Sequence, residues 1–260
     1  MIELKNISVK YGKNIALNDV NVNFSQGEFT AILGSNGAGK STLIKIASGW
    51  LKQNSGVVKC NNKDLREIST RDLADMRAVL EQECPTDFDY TVSQILEMAS
   101  YRVSPFGFSI SYESFASSAL ELVELKGFEN RLYTKLSGGE SRRVQLARAI
   151  CQIGGLKNLE GKNLLLDEPV ASLDPSSTHC AMSIAKRMAD NGCCVIAVLH
   201  DVNLALQYCQ NAILLKNGKV LAKGKTEEII TSENLSETYS APCEILDTHL
   251  GKVVIFPKKS

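Results

Sequence analysis

Long apolar runs are missing from this sequence. The longest, Cys193 to Leu199, has seven residues, against about 20 for a membrane-spanning helix, so a helical span is excluded. The opening stretch MIELKNISVKYGK has no apolar core of the kind a secretory signal needs, and the expectation is a soluble chain in the cytoplasm. A surplus of charge is missing too. Lys plus Arg and Asp plus Glu are 29 each, so no global field draws the molecule to nucleic acid. Cysteine is not scarce, with eight residues at 60, 84, 151, 180, 193, 194, 209 and 243, yet the C-x₂-C pairs of a zinc site are absent. Cys193 and Cys194 sit in an apolar, strand-like run, where a free thiol behaves as a small hydrophobe. No internal repeat or low-complexity segment occurs. The 260 residues suffice for one large or two small domains with a substantial core.

What is present centres on GSNGAGKST, Gly34 to Thr42. It fits G-x-x-x-x-G-K-[ST], with Gly34, Gly39, Lys40 and Ser41 in the fixed places. The apolar run Glu28–Leu33 before it reads as a strand, and Leu43, Ile44, Ile46 and Ala47 after it fall at helical spacing. Strand, glycine turn and helix are the context of a phosphate-binding loop. Its glycines let successive N–H groups turn inward into an anion nest at a helix N-terminus. Lys40 would reach the β- and γ-phosphates and Ser41 would offer its hydroxyl to Mg²⁺. A flexible Gly/Ser turn that happens to hold a lysine explains neither flank, so the expectation is a site for a nucleoside triphosphate.

Around this loop the pattern is α/β. Alternation at Ile2, Leu4, Ile7 and Val9, then at Val20, Val22 and Phe24, predicts half-buried antiparallel strands. Gly56–Cys60 and Arg77–Gln82 read as further strands. From about Cys84 to Leu136 apolar residues recur at helical spacing, through Val92, Ile95, Leu96 and Ala99 and then Phe115, Ala119, Leu122 and Val123. That stretch reads as a helical subdomain inserted into the α/β core, broken at Pro85 and at Ser104–Gly107. Asn163–Asp167 and Cys193–Leu199 then read as buried strands, and Asn217-Gly218 as a hairpin turn. In the tail, two short helices near Thr226–Ile230 and Glu233–Tyr239 precede strands near Glu244–Leu246 and Val253–Phe256. The whole of 1–260 is expected to be one domain, with a C-terminal extension from about 225.

Two further motifs carry chemistry. Leu164-Leu165-Leu166-Asp167-Glu168 is an apolar strand that delivers two carboxylates at its C-terminal end, the edge where open α/β sheets bind ligands. Asp167 suits the Mg²⁺ shell, and Glu168 is placed to polarise an attacking water. Leu136-Ser137-Gly138-Gly139-Glu140 precedes SRRVQLARAI; read alone it is a capped helix start with an apolar face at Val144, Leu146, Ala147 and Ile150. Phosphate loop, Gln82 after a strand, LSGGE, LLLDEP, Leu173-Asp174 and His200 after a strand follow one another in that order.

On those residues the chain resembles the nucleotide-binding subunits of ABC transporters over nearly its whole length. The resemblance implies a P-loop NTPase fold of the ABC ATPase type, with an antiparallel β subdomain and an inserted helical subdomain. It implies an ATP-hydrolysing enzyme that uses ATP and Mg²⁺. It makes Tyr11 the adenine-stacking residue and places phosphate contacts on Gly34, Ser35, Asn36, Gly37, Ala38, Gly39, Lys40, Ser41 and Thr42. It makes Gln82 the Q-loop glutamine, with Ser41 and Asp167 around Mg²⁺ and with Glu168 and His200 in catalysis. Ser137, Gly138, Gly139 and Glu140 become the signature motif, Asp174 the D-loop aspartate and His200 the switch histidine. The family works as a head-to-tail homodimer with each ATP between one chain's phosphate loop and the other's signature motif. A second anion site at Ser137–Gly139 fits that division, because one chain cannot easily wrap both sites around one γ-phosphate. Ser35, Glu140 and Val170-Ala171-Ser172 depart from the family's frequent residues, and Asn163 interrupts its usual apolar run; none removes a group the chemistry needs.

Within the family the chain is most similar to the ATPases of hemin importers, grouped with those for siderophores and cobalamin. The similarity lies in Arg71–Gln82, in the lengthened loop Gln152–Lys162 and in the tail ETYSAPCEILDTHLGKVVIFP. It implies integral membrane permease subunits as partners, a substrate-binding protein acting through the complex, no nucleic acid, and a peripheral place on the cytoplasmic face of the inner membrane. Asp87, Phe88, Asp89 and Tyr90 mix acidic and aromatic side chains suited to gripping a permease helix. Siderophore and cobalamin importers stay open as alternatives, as do soluble ATPases of the family. A kinase or GTPase built on the same loop would explain neither LSGGE nor His200.

Overall fold

The computed structural model describes residues 1–81, 88–100, 112–249 and 251–257. Two sheets carry the core. A four-stranded antiparallel sheet runs β2 (Asn14–Phe24), β1 (Ile2–Tyr11), β4 (Ser55–Cys60) and β5 (Lys63–Asp64). A six-stranded sheet runs β10 (Lys219–Lys225), β9 (Asn211–Lys216), β3 (Phe29–Gly34), β8 (Cys194–Val198), β7 (Asn163–Asp167) and β6 (Arg77–Leu80). All neighbours in the second sheet are parallel except β9 and β10, which form the hairpin at Asn217-Gly218.

The central strands read as continuous apolar runs because both faces are covered, and their alternation divides the core. Leu164, Leu166, Val195 and Ala197 face one cluster; Leu165, Cys194, Ile196 and Val198 face the other. The second cluster is closed by Ile2, Leu4, Ile7, Val20 and Phe24 of the antiparallel sheet and by helix α1 (Lys40–Ala47). The first is closed by α5 (Gly138–Gln152) and α6 (Pro175–Asp190). Asn163, fully buried where an apolar residue is frequent, has its amide satisfied by the carbonyl of Met76 at 3.1 Å.

Helices α3 (Val92–Ser100) and α4 (Tyr112–Leu122) pack on α5 with Val92, Leu96, Ala116 and Leu120 in the shared core. Gln82, Cys84, Pro85, Asp87 and the break at Ser104–Gly107 lie outside the described residues. Helix α7 (Val202–Tyr208) follows β8. The tail builds α8 (Thr226–Ile229), α9 (Ser232–Tyr239) and the hairpin of β11 (Glu244–Thr248) with β12 (Gly251–Ile255). One helix escaped the sequence reading: α2 (Thr70–Met76). Only Leu73 of it is buried, so it carries no apolar periodicity. Its signal is the cap, where Ser69 Oγ accepts from Asp72 N at 3.1 Å.

Candidate functional site

Three parallel strands end side by side, and the sequence places a functional group just after each. The phosphate loop follows β3, Asp167 and Glu168 close β7, and His200 stands two residues beyond β8. The loop's glycines are dictated by space as well as by dihedral angle. Gly34 has φ 154°, and a Cβ there would lie 2.4 Å from the carbonyl oxygen of Leu215. Gly39 has φ 104°, and its Cβ would meet Ala16 O at 2.5 Å. Gly39→Ala is therefore expected to cost roughly 1–3 kcal/mol from backbone geometry alone. Urea unfolding reads this directly, and unchanged stability would mean the loop re-forms without its glycine.

Lys40 begins α1 and is buried, its ammonium donating to Gly34 O at 2.8 Å and Ser35 O at 2.9 Å. Burial pushes its pKa below the ordinary range, against the opposing pull of the Glu168 and Asp167 carboxylates. Ser41 Oγ donates to Asp167 Oδ1 at 3.3 Å. Burial raises the Asp167 carboxyl above its usual value, the Ser41 hydrogen bond opposes that, and the Glu168 charge adds to it. A hydroxyl and a carboxylate in contact, beside the lysine, are hard oxygen donors of the type that Mg²⁺ takes together with substrate phosphates. The donor set fits that ion.

Glu168 Oε1 lies 2.7 Å from His200 Nε2, with the histidine half-exposed and the glutamate largely covered. Two of the three residues that the family resemblance assigns to catalysis are thus in direct contact; the third, Gln82, lies outside the described residues. Glu168 has φ 51°, in the left-handed region that a residue with a Cβ seldom adopts. Tyr11 ends β1 with half its surface exposed.

The signature residues start α5. Ser137 Oγ accepts from Glu140 N at 3.3 Å, and Glu140 Oε2 accepts from Ser137 N at 2.8 Å, forming a complete capping box. Glu140 is thereby committed to the cap through Oε2, while its Oε1 lies 3.6 Å from the guanidinium of Arg131. Asp174 likewise caps α6, accepting from Ser177 N at 3.0 Å and Ser177 Oγ at 2.8 Å; these bonds hold its carboxyl below the ordinary range. Gly139 lies against Ser172 O, where a Cβ would approach to 3.3 Å.

Sequence reasoning missed Arg142. It is buried, and its guanidinium donates to the backbone carbonyls of Glu81, Asp167 and Glu168. The available signal was its place on α5, four residues before Leu146 and eight before Ile150. That spacing puts a charged side chain on the core-facing stripe.

Residues 17–171 match the family model described as ABC transporter. The chain is 39% identical over 249 residues to the hemin import ATP-binding protein HmuV of Bartonella henselae, across 94% of this chain and 92% of that protein. It is 36% identical over 240 residues to the HmuV of Rhizobium meliloti, across 92% and 91%. Among solved structures it is similar to a bacterial ABC transporter cassette in dimeric form, with TM-score 0.75 and 28% identity over 87% of this chain and 99% of that one.

Proposed function

The chain belongs to the ABC transporter family, and from that premise we propose that it is the ATP-hydrolysing subunit of an importer of hemin or a related iron complex. The observation that carries the catalytic part is the convergence of Lys40, Ser41, Asp167, Glu168 and His200 at one edge of the parallel sheet. In this reading ATP seats its phosphates on the Gly34–Thr42 backbone. Lys40 exchanges its two loop carbonyls for phosphate oxygens, and Tyr11 stacks on the adenine. Ser41 and Asp167 hold Mg²⁺, which when bound neutralises charge on the β- and γ-oxygens; Gln82 joins them. Glu168 accepts a proton from the attacking water as its oxygen bonds to the γ-phosphorus and the bond to the β–γ bridging oxygen breaks. His200, already on Glu168, orients that carboxylate and reads the γ-phosphate. Ser137–Gly139 and Asp174 face the ATP of a second copy of the chain.

No helix among the described residues is long and apolar enough to cross a membrane, so passage of cargo falls to permease partners. A groove of about 530 Å³, lined by Tyr90, Ile95, Met98, Gln145, Arg148 and Gln152, lies beside Glu81 and thus beside the approach to Gln82. Phe88 and Tyr90 are exposed near its rim with ring centroids 5.9 Å apart. A short cytoplasmic helix of the permease docks there, which places the subunit peripherally on the cytoplasmic face of the inner membrane. The hemin reading is supported by 36–40% identity to hemin import ATP-binding proteins.

The test is ATP hydrolysis by the reconstituted transporter with its substrate-binding protein empty, hemin-loaded, siderophore-loaded or cobalamin-loaded. Hemin-loaded protein is expected to stimulate turnover, and Gln82→Ala is expected to lower that stimulation more than the basal rate. Stimulation by a siderophore or cobalamin alone would replace hemin as cargo. Failure to find a membrane partner would overturn import itself.

A further inference from the structure

Glu168 must be held in an uncommon backbone geometry for its carboxylate to face His200, and a residue on a different element does the holding. A left-handed φ of 51° at a residue with a Cβ persists only where its surroundings over-determine it. Two peptide planes flank the Cα of Glu168, and their rotations are its φ and ψ. The first carries the carbonyl of Asp167 and the second the carbonyl of Glu168. The Arg142 guanidinium donates to both, the second at 2.5 Å. A third donation goes to the carbonyl of Glu81, the residue before Gln82. Ala171 N adds a turn hydrogen bond to Glu168 O at 3.2 Å.

We propose that Arg142 is a positioning residue for ATP hydrolysis: its Nη2 donates to the carbonyls of both peptide planes of Glu168 while Nη1, anchored on the carbonyl of Glu81, fixes the plane of the fork, so that the Glu168 carboxylate is aimed at His200 and the attacking water. The inference rests on the reading of Glu168 as the general base. Burial makes the geometry stringent, because a guanidinium withdrawn from water must satisfy its donors on protein acceptors. The fork is also specific. A lysine brings the same charge on one nitrogen with no fixed plane, so it lacks the second, coplanar anchor that Nη1 makes on Glu81 O while Nη2 holds the two Glu168 peptides. Arg142 stands five residues after Ser137 on the same helix, so the signature motif and the base of one chain share a rigid connection.

Arg142→Gln and Arg142→Lys would be compared with the parent protein for kcat, KM, equilibrium ATP binding and melting temperature. A misaimed base lowers the rate of the chemical step without altering the phosphate cradle. Arg142→Gln is expected to lower kcat about 10–100-fold, since displacement of a reacting group by about 1 Å has that scale. KM and ATP affinity should stay within about threefold of the parent. Arg142→Lys should recover part of the lost rate. Full recovery by lysine would mean that charge alone matters and overturns the fork. Loss of ATP binding in step with turnover, including through failure to fold, would make Arg142 purely structural and overturns the proposal as well. Arg142→Gln within about twofold of the parent does the same. Glu168→Gln is the accompanying control: normal hydrolysis there removes the general-base reading, whereas an inactive Glu168→Gln beside a normal Arg142→Gln removes this inference alone.

Discussion

Glu168→Gln should lower ATP turnover about 10²–10⁴-fold, the usual cost of losing one positioned acid–base or electrostatic group, while ATP binding stays close to that of the parent. The substitution is nearly isosteric. A glutamine amide can still hydrogen-bond to His200, now 2.7 Å from Glu168 Oε1, but it cannot take a proton from water at neutral pH. The Glu168 side chain bonds to His200, and its influence on the Gly34–Thr42 loop is the charge it sets against the Lys40 ammonium. Lys40→Ala is the instructive contrast. Lys40 is buried and bonded to the loop's own carbonyls, so its loss takes away a charge aimed at the phosphates and should weaken nucleotide binding itself. Phosphate release and equilibrium nucleotide binding, measured on both variants, separate the two effects. Near-normal hydrolysis by pure Glu168→Gln protein would remove Glu168 from the role of base.

The site was readable from the sequence wherever a short motif also fixes the local backbone. GSNGAGKST specifies a strand, a turn and a helix start at once, and LLLDE specifies a buried strand with carboxylates at its end. The hairpin at Asn217-Gly218 was legible for the same reason, since few residues adopt the left-handed φ values of 48° and 74° found there. What the sequence could not convey were contacts between distant segments. Arg142 meets carbonyls of Glu81, Asp167 and Glu168, and backbone acceptors leave no trace in side-chain identity. Helix α2 was hidden because one buried leucine in seven residues gives no period to detect. The direct contact of His200 with Glu168 was also beyond pattern reading, which placed each after its own strand but not against the other. Adjacency of β7 and β8 in the sheet is what brings the two together.

ATP should drive two copies of the chain together once hydrolysis is blocked. With Glu168→Gln protein, a dimer is expected in the presence of ATP and largely a monomer without it. The reason lies at the start of α5, a helix of 15 residues. Its first backbone N–H groups have no partner within the helix, and the capping box satisfies Ser137 N and Glu140 N only. Gly138 and Gly139 therefore present donors at the positive end of the helix dipole, an anion site with no phosphate of its own. Its near neighbours are Ser172 and Leu173, next to Asp174, rather than the Gly34–Thr42 loop. In the proposed head-to-tail arrangement, a nucleotide held by one chain's loop meets that site on the other chain. Ser137→Arg should then abolish the ATP-driven dimer. It places a long side chain where the partner's nucleotide must approach, and overpacking at a close contact costs about 1–3 kcal/mol; the lost cap, worth about 1 kcal/mol, weakens each chain's own fold rather than the association. The clash amounts to association weaker by roughly 5- to 150-fold, which shifts the dimer to monomer at micromolar protein. Size-exclusion chromatography with light scattering reads the outcome, and a melting temperature lowered by no more than the few degrees the lost cap accounts for guards against misfolding of the variant. A dimer indifferent to both ATP and Ser137 would place the interface on another face of the molecule.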